Sequence, residues 1–461
     1  MQTQTNNPDT GGLVRKWSEA AMPFAPAVAV LCTAVAGLGD YKPINNAYAG
    51  LPKAISIGVV VCAVLCFCMR PYYARAKRAL LFLPLFFLLI LIFPLLTVTL
   101  WISDLAVLGS VWSSFEQIGF QAIAILYAVS MAYLFGRKAI DHFFHAMALA
   151  NGIIILLEIP KYGLMESLQS VFHCVVTFGD AYGFMRALEI HDITFLFGQL
   201  FIYYLLFASL DEPENKIRNR SYAAVCLFFV ILGFKRLTFP ALLAAIVLAW
   251  LLLRLRNAWG LLLVLGGLAV FGSFLYIYLI HSGLLIPFLL GQGINLMGRE
   301  TYWSIANQYF EFSIFWRGLG YEAVNALSQT WVEEGLVSKA FPLHNDFLKV
   351  YLEIGAIGLA LWSGIQYVLY PLYWARKHFY NCGVLYFSIF LYMSITYLTD
   401  NTAFYYWSSI GLRLIPMAFC YSGLKAVKQA VWQPADANAI AASVHAFEAA
   451  QLPDEPSETD D

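Results

Sequence analysis

The sequence predicts an all-α polytopic membrane protein with about twelve transmembrane helices and one large loop outside the membrane. Three observations carry that prediction. Of the residues, 60% are apolar and only 12% are charged, against roughly one-quarter charged in a soluble domain. Apolar runs of about the length needed to cross a bilayer recur along the chain. Clusters of Lys and Arg alternate with these runs in a way that agrees with a single orientation.

In chain order the runs lie near 20–38, 52–69, 79–99, 119–136, 143–160, 192–210, 221–234, 238–253, 259–279, 348–370, 384–399 and 404–424. The first lacks a small-residue cleavage site and is followed by many others, so it reads as an anchor and not as a removed signal peptide. With Arg15 and Lys16 in the cytoplasm, counting spans puts six further clusters on the same side. These are Arg70, Arg75, Lys77 and Arg78; Arg137 and Lys138; Lys216, Arg218 and Arg220; Arg254 and Arg256; Arg376 and Lys377; and Lys425 with Lys428. Both termini are then expected in the cytoplasm. The chain divides into a cytoplasmic segment 1–19, a nine-helix region 20–279, a periplasmic loop 280–343, a three-helix region 344–424 and a tail 425–461. The acidic end of that tail, with Asp454, Glu455, Glu458, Asp460 and Asp461, reads as solvated, disordered chain.

Composition excludes several functions. A formal charge of −1 with no basic stripe argues against nucleic acid as a partner. The eight cysteines, at 32, 62, 66, 68, 174, 226, 382 and 420, lie mostly in apolar runs without paired metal-ligand spacing, so no metal is expected. No phosphate-binding G-x-x-x-x-G-K-[ST] run is present, and no nucleotide or other cofactor is expected.

The same span count leaves several cations on the outer side, against the usual bias. Lys235 and Arg236 sit in a tight reversal, Gly233-Phe-Lys-Arg-Leu-Thr-Phe-Pro240. Headgroup snorkelling accounts for such a pair; a site for an anion accounts for it as well, since a guanidinium offers fixed N–H donors to phosphate oxygens. Arg299, in Gly298-Arg299-Glu300-Thr301-Tyr302-Trp303, adds a third cation, and either serves the same anion or pairs with Glu300 or Glu311. Arg317, in Trp316-Arg317-Gly318-Leu-Gly320-Tyr321, adds a fourth beside turn glycines. Trp303, Trp316 and Trp331 suit either sugar faces or the membrane interface.

His344 follows the loop at the mouth of the next span, with Pro342 favouring a helix start just before it. Phe347, Leu348, Tyr351 and Leu352 fit one helical face, and Asp346, Lys349 and Glu353 the other. An imidazole titrates near neutrality and can take a proton from an attacking hydroxyl, which is the work of a general base. Asp400, between the last two runs, either orients such a group or caps a turn. Gly355 and Gly358 are expected to let helices pack closely.

The order of these motifs resembles the bacterial O-antigen ligase and polymerase family of integral-membrane transferases. His344-Asn345 followed by Gly355 and Gly358 looks like the ligase signature, with Gly298-Arg299 and Gly318-Leu-Gly320-Tyr321 as further landmarks. The resemblance spans roughly residues 50 to 424. Leu359 stands where that family has a small residue or Tyr, and the first basic position lies in Phe-Lys-Arg-Leu-Thr rather than Ser-Arg-Gly. The resemblance implies an inverting, metal-independent transfer of a glycan from undecaprenyl diphosphate, with a lipid A–core acceptor for a ligase. It implies His344 as base, and Arg299 with Arg236 or its neighbour Lys235 at the diphosphate; the reading of the residues adds Arg317 and Asp400 as supporting candidates. An O-antigen polymerase and a periplasmic protein glycosyltransferase use the same donor chemistry. A polysaccharide transporter is the reading from another class, and would be expected to show paired internal repeats, of which the sequence carries no clear sign.

Overall fold

The computed structural model describes residues 25–421 apart from 40, 48–49, 70–72, 103–110, 190, 256–257, 295 and 341. The terminal segments 1–19 and 425–461, with Arg15, Lys16, Lys425 and Lys428, lie outside the described residues, as do Arg70 and Arg256. Among the described residues the chain is all helix, with no strand. The principal helices are α1 (Ala25–Leu38), α2 (Leu51–Met69), α3 (Tyr73–Ile102), α4 (Val111–Phe135), α5 (Ala139–Tyr162), α6 (Leu164–Thr177), α7 (His191–Ile202), α8 (Lys216–Gly233), α9 (Thr238–Arg254) and α10 (Trp259–His281). They continue with α11 (Arg299–Ala306), α12 (Ala323–Glu333), α13 (Asp346–Gly364), α14 (Tyr380–Tyr397) and α15 (Tyr406–Phe419).

Helix therefore lies along each expected apolar run among the described residues, but the runs are not equivalent. Six stretches are long and apolar enough to cross a membrane: Leu51–Cys68, Arg75–Ile102, Trp112–Tyr162, Ile193–Leu210, Trp259–His281 and Asp346–Lys377. Trp112–Tyr162 contains α4 and α5, separated by a tight turn at Gly136–Lys138. The α1 and α9 helices are apolar but shorter. Helix α8 starts on Lys216, Arg218 and Arg220, and α15 carries Arg413 in its interior, which lowers their apolar character. The α7 and α13 helices run on through single π-helical turns at Tyr203–Phe207 and Ile365–Leu369.

The segment between α10 and α13 is folded. It holds the short helix Leu285–Gly291 as well as α11 and α12, and it docks on α13 through backbone. Gly355 breaks the α13 helix at φ 75°, ψ −171°. The groups released there are taken up by the passing loop: Leu319 and Gly320 N–H donate to the Leu352 and Glu353 carbonyls, each at 2.8 Å, and Ala356 N–H donates to the Trp316 carbonyl at 2.9 Å. A Cβ on Gly355 would stand 2.3 Å from the Trp316 oxygen, and one on Gly318 2.5 Å from the Glu353 oxygen. This corrects the expectation of close helix packing at Gly355: the chain that approaches is a loop, and it replaces helical hydrogen bonds that a buried backbone must satisfy. Gly358 meets the Ile354 side chain of its own helix.

A run of contacts gathers five pieces at one end of the bundle. Gly233, next to the α8–α9 turn, abuts the Thr194 side chain near the start of α7. The neighbouring Phe195 ring lies 6.1 Å from that of Tyr405, in the α14–α15 connection. Tyr276, near the end of α10, donates to the Leu398 carbonyl at 2.6 Å and accepts from Asn345 Nδ2 at 3.0 Å. The Lys235-Arg236 turn, Asp400, His344 and the loop after α10 thus share a face.

Candidate active site

His344 stands one residue before the cap of α13, not inside a helix begun at Pro342. Asn345 is the cap, its Oδ1 accepting from Leu348 N–H at 3.0 Å, and His344 adopts a left-handed φ of 48°. A side chain held in that region costs on the order of 1–3 kcal/mol, so surrounding contacts must impose it. Trp303, fully buried, supplies one by donating Nε1–H to the Leu343 carbonyl at 2.8 Å.

The imidazole Nδ1 lies 3.1 Å from Asp400 Oδ1. A carboxylate only accepts, so Nδ1 carries the proton and Nε2 is the basic nitrogen of this tautomer. Asp400 is itself fixed: the same oxygen accepts from Asn401 N–H at 2.9 Å and from the Tyr405 hydroxyl at 3.2 Å. A base oriented by a buried acid is the arrangement that general-base chemistry requires.

Beside the histidine lies a polar cavity of about 290 Å³, lined in part by His344, Asn345, Asp346, Lys349, Glu322 and Tyr405. Asp346, Lys349 and Glu353 do not form a solvated face. Asp346 and Glu353 are fully buried and Glu322 is 3% exposed. Lys349 Nζ lies 3.0 Å from Glu322 Oε1 and 3.8 Å from Glu353 Oε1. Asp346 Oδ2 accepts from Ala403 N–H at 2.7 Å, which pins the start of α13 to the α14–α15 connection. Burial pushes the neighbouring Tyr321 phenol above its ordinary range, with the Glu322 and Glu353 charges acting in the same direction. The sequence carried a trace of this cluster in the Lys349/Glu353 spacing, which sets the pair on one helix face. It gave no sign that the loop would cover that face or that Glu322 would join it.

The other expected site residues fall into two groups. Arg299 begins α11 and is half-buried; its backbone N–H donates to the Leu296 carbonyl at 3.1 Å, while its side chain makes no ion pair or hydrogen bond among the described residues, and its charge acts on the Tyr276 phenol that holds Asn345. The expected alternative pairing with Glu300 or Glu311 is absent there. Arg317 is exposed at the loop surface. Lys235 and Arg236, by contrast, already hold acids: Lys235 Nζ is 2.6 Å from Glu189 and Arg236 Nη2 is 2.8 Å from Asp180. An anion at that turn must compete with Asp180, whose side chain is 68% exposed. Trp303 and Trp331 are framework, both with no exposed surface, and Trp316 donates to the Tyr351 carbonyl at 3.0 Å. Arg413, which sequence reading passed over, is buried inside α15 and bonds to Ser409 O and Gln121 Oε1.

No protein-family model, no curated protein and no solved structure matches this chain.

Proposed function

We propose that the protein is a glycosyltransferase of the outer face of the bacterial inner membrane, an O-antigen ligase joining an undecaprenyl-diphosphate-linked polysaccharide to lipid A–core. The observation that supports this best is the His344–Asp400 pair beside a polar cavity, on the same bundle face as Arg299 and the Lys235-Arg236 turn. In this reading twelve helices span the bilayer, both termini are cytoplasmic and the segment 280–343 is periplasmic.

His344 Nε2 takes the proton of an acceptor hydroxyl as its oxygen bonds to the anomeric carbon. The bond from that carbon to the diphosphate oxygen breaks, and the electron pair leaves with undecaprenyl diphosphate. Attack from the opposite side inverts the anomeric centre. Arg299 meets the growing charge on the leaving group, and Arg236 joins it when its ion pair with Asp180 opens. Asp400 stabilises the imidazolium that forms.

A strain without the protein is expected to keep lipid-linked polysaccharide of full chain length and lose its attachment to lipid A–core. Single repeats in place of chains would make it a polymerase instead, and normal attachment with an altered glycoprotein profile would make it a protein glycosyltransferase. For topology, an impermeant thiol reagent is expected to label Glu333→Cys and Asn401→Cys in intact inner-membrane spheroplasts, and Lys216→Cys and Arg376→Cys only after permeabilisation. Labelling of several positions in 280–343 only after permeabilisation would overturn the proposed site.

A further inference from the structure

Helix α6 presents three chemically different sides. Ser167, Ser170 and Cys174 are buried. Ser170 Oγ donates to the Tyr182 carbonyl at 2.7 Å and accepts from Met185 N–H at 3.2 Å, and Cys174 packs in a cluster with Phe184, Met185, Leu232 and Phe234. At 3.6 residues per turn, Met165, Leu168, Phe172 and Val176 form a second stripe, exposed by 70, 56, 70 and 62%. Glu166, Gln169 and His173 form a third, also exposed.

The side turned away from the protein is thus more apolar than the side packed against it, the reverse of a helix on a soluble surface. A stripe of this kind is not left to water. Its apolar surface continues that of a membrane-length helix: Leu156 and Leu157 of α5 are 69 and 47% exposed, just before Gly163 turns the chain at φ 81° into α6. With protein, lipid and water each facing one side, the helix has the pattern of an element lying flat in a bilayer surface.

We infer that α6 lies along the membrane at the boundary of headgroups and acyl chains, with Met165, Leu168, Phe172 and Val176 in lipid and Glu166, Gln169 and His173 in water, and that it sets the depth of the Lys235-Arg236 turn. The link to that turn is direct. Phe178, which ends α6, packs its ring 5.6 and 5.7 Å from Phe234 and Phe239, and Asp180 holds Arg236. Arg236 then sits at headgroup depth, where the phosphates of a lipid lie. This inference rests on the membrane reading and is independent of the transfer chemistry.

Nitroxides placed one at a time on cysteines at 166, 168, 169, 172, 173 and 176, with the native cysteines changed to serine, test it in phosphatidylcholine liposomes. Positions 168, 172 and 176 are expected to collide more with oxygen than with a water-soluble nickel chelate, and 166, 169 and 173 the reverse. Nickel access at all six, or immobile labels at 168, 172 and 176 shielded from both reagents, would overturn it, the second by showing a protein partner on the stripe. In protein with its native cysteines, a diazirine amino acid at Phe172 is expected to form phospholipid adducts by mass spectrometry and one at Gln169 none. Equal lipid adducts at both positions, or none at either, would count against the orientation.

Discussion

Replacing His344 by Ala is expected to lower transfer by about 10²–10⁴-fold while leaving the protein folded, since that is the usual worth of a general base. Asp400→Asn is expected to cost less. It takes the charge from the hydrogen bond to His344 Nδ1–H, which with the charge is worth about 1.5–3 kcal/mol, so the loss is at most roughly 10–150-fold in rate. Arg299→Lys keeps the charge but loses the planar fork that meets the leaving group's growing charge, so its loss is expected in kcat at saturating donor more than in the KM for the lipid-linked donor. The measurement is glycan transfer by purified protein from a synthetic undecaprenyl diphosphate donor, with chelator present and no metal or nucleotide added. Full activity of a folded His344→Ala protein would remove the assigned base, and strict dependence on added metal would remove the role given to the arginines.

The second large effect is expected on stability. Lys349→Met leaves Glu322 and Glu353 buried without the cation that both share. Breaking a buried ion pair by deleting one partner typically costs about 3–5 kcal/mol, more than the intact pair contributes. The yield of monodisperse protein and its thermal midpoint in detergent should both fall, and Lys349→Arg should recover most of the loss. A midpoint equal to that of the unaltered protein would show that the carboxylates find protons or water in place of Lys349. Because Asp346 of the same cluster is bonded to Ala403 N–H, the damage is expected to reach the α14–α15 connection and so the seat of Asp400.

Much of the architecture was legible without coordinates because apolar length and helical periodicity are local properties. Among the described residues helices lie along the expected runs, and six stretches are long and apolar enough to cross a membrane. The ends of elements were less legible. Pro342 suggested a helix start, yet Asn345 caps α13 three residues later and leaves His344 outside it. The sequence marks Gly355 as a position of close packing and Gly318 as a turn residue, but the partner each one meets is more than thirty residues away in the chain.

Composition and spacing by themselves determined that this is an all-helical chain suited to a membrane, with His344 at a loop exit and cations in nearby turns. Only the tertiary structure decided how those groups are used. It joined His344 to Asp400 across 56 residues, gave Arg236 and Lys235 acidic partners at Asp180 and Glu189, and buried Glu322, Asp346 and Glu353 around Lys349. The physical reason is that a charge acts through distance and dielectric. Both are set by which segments fold over one another, and the spacing of residues along a chain records neither.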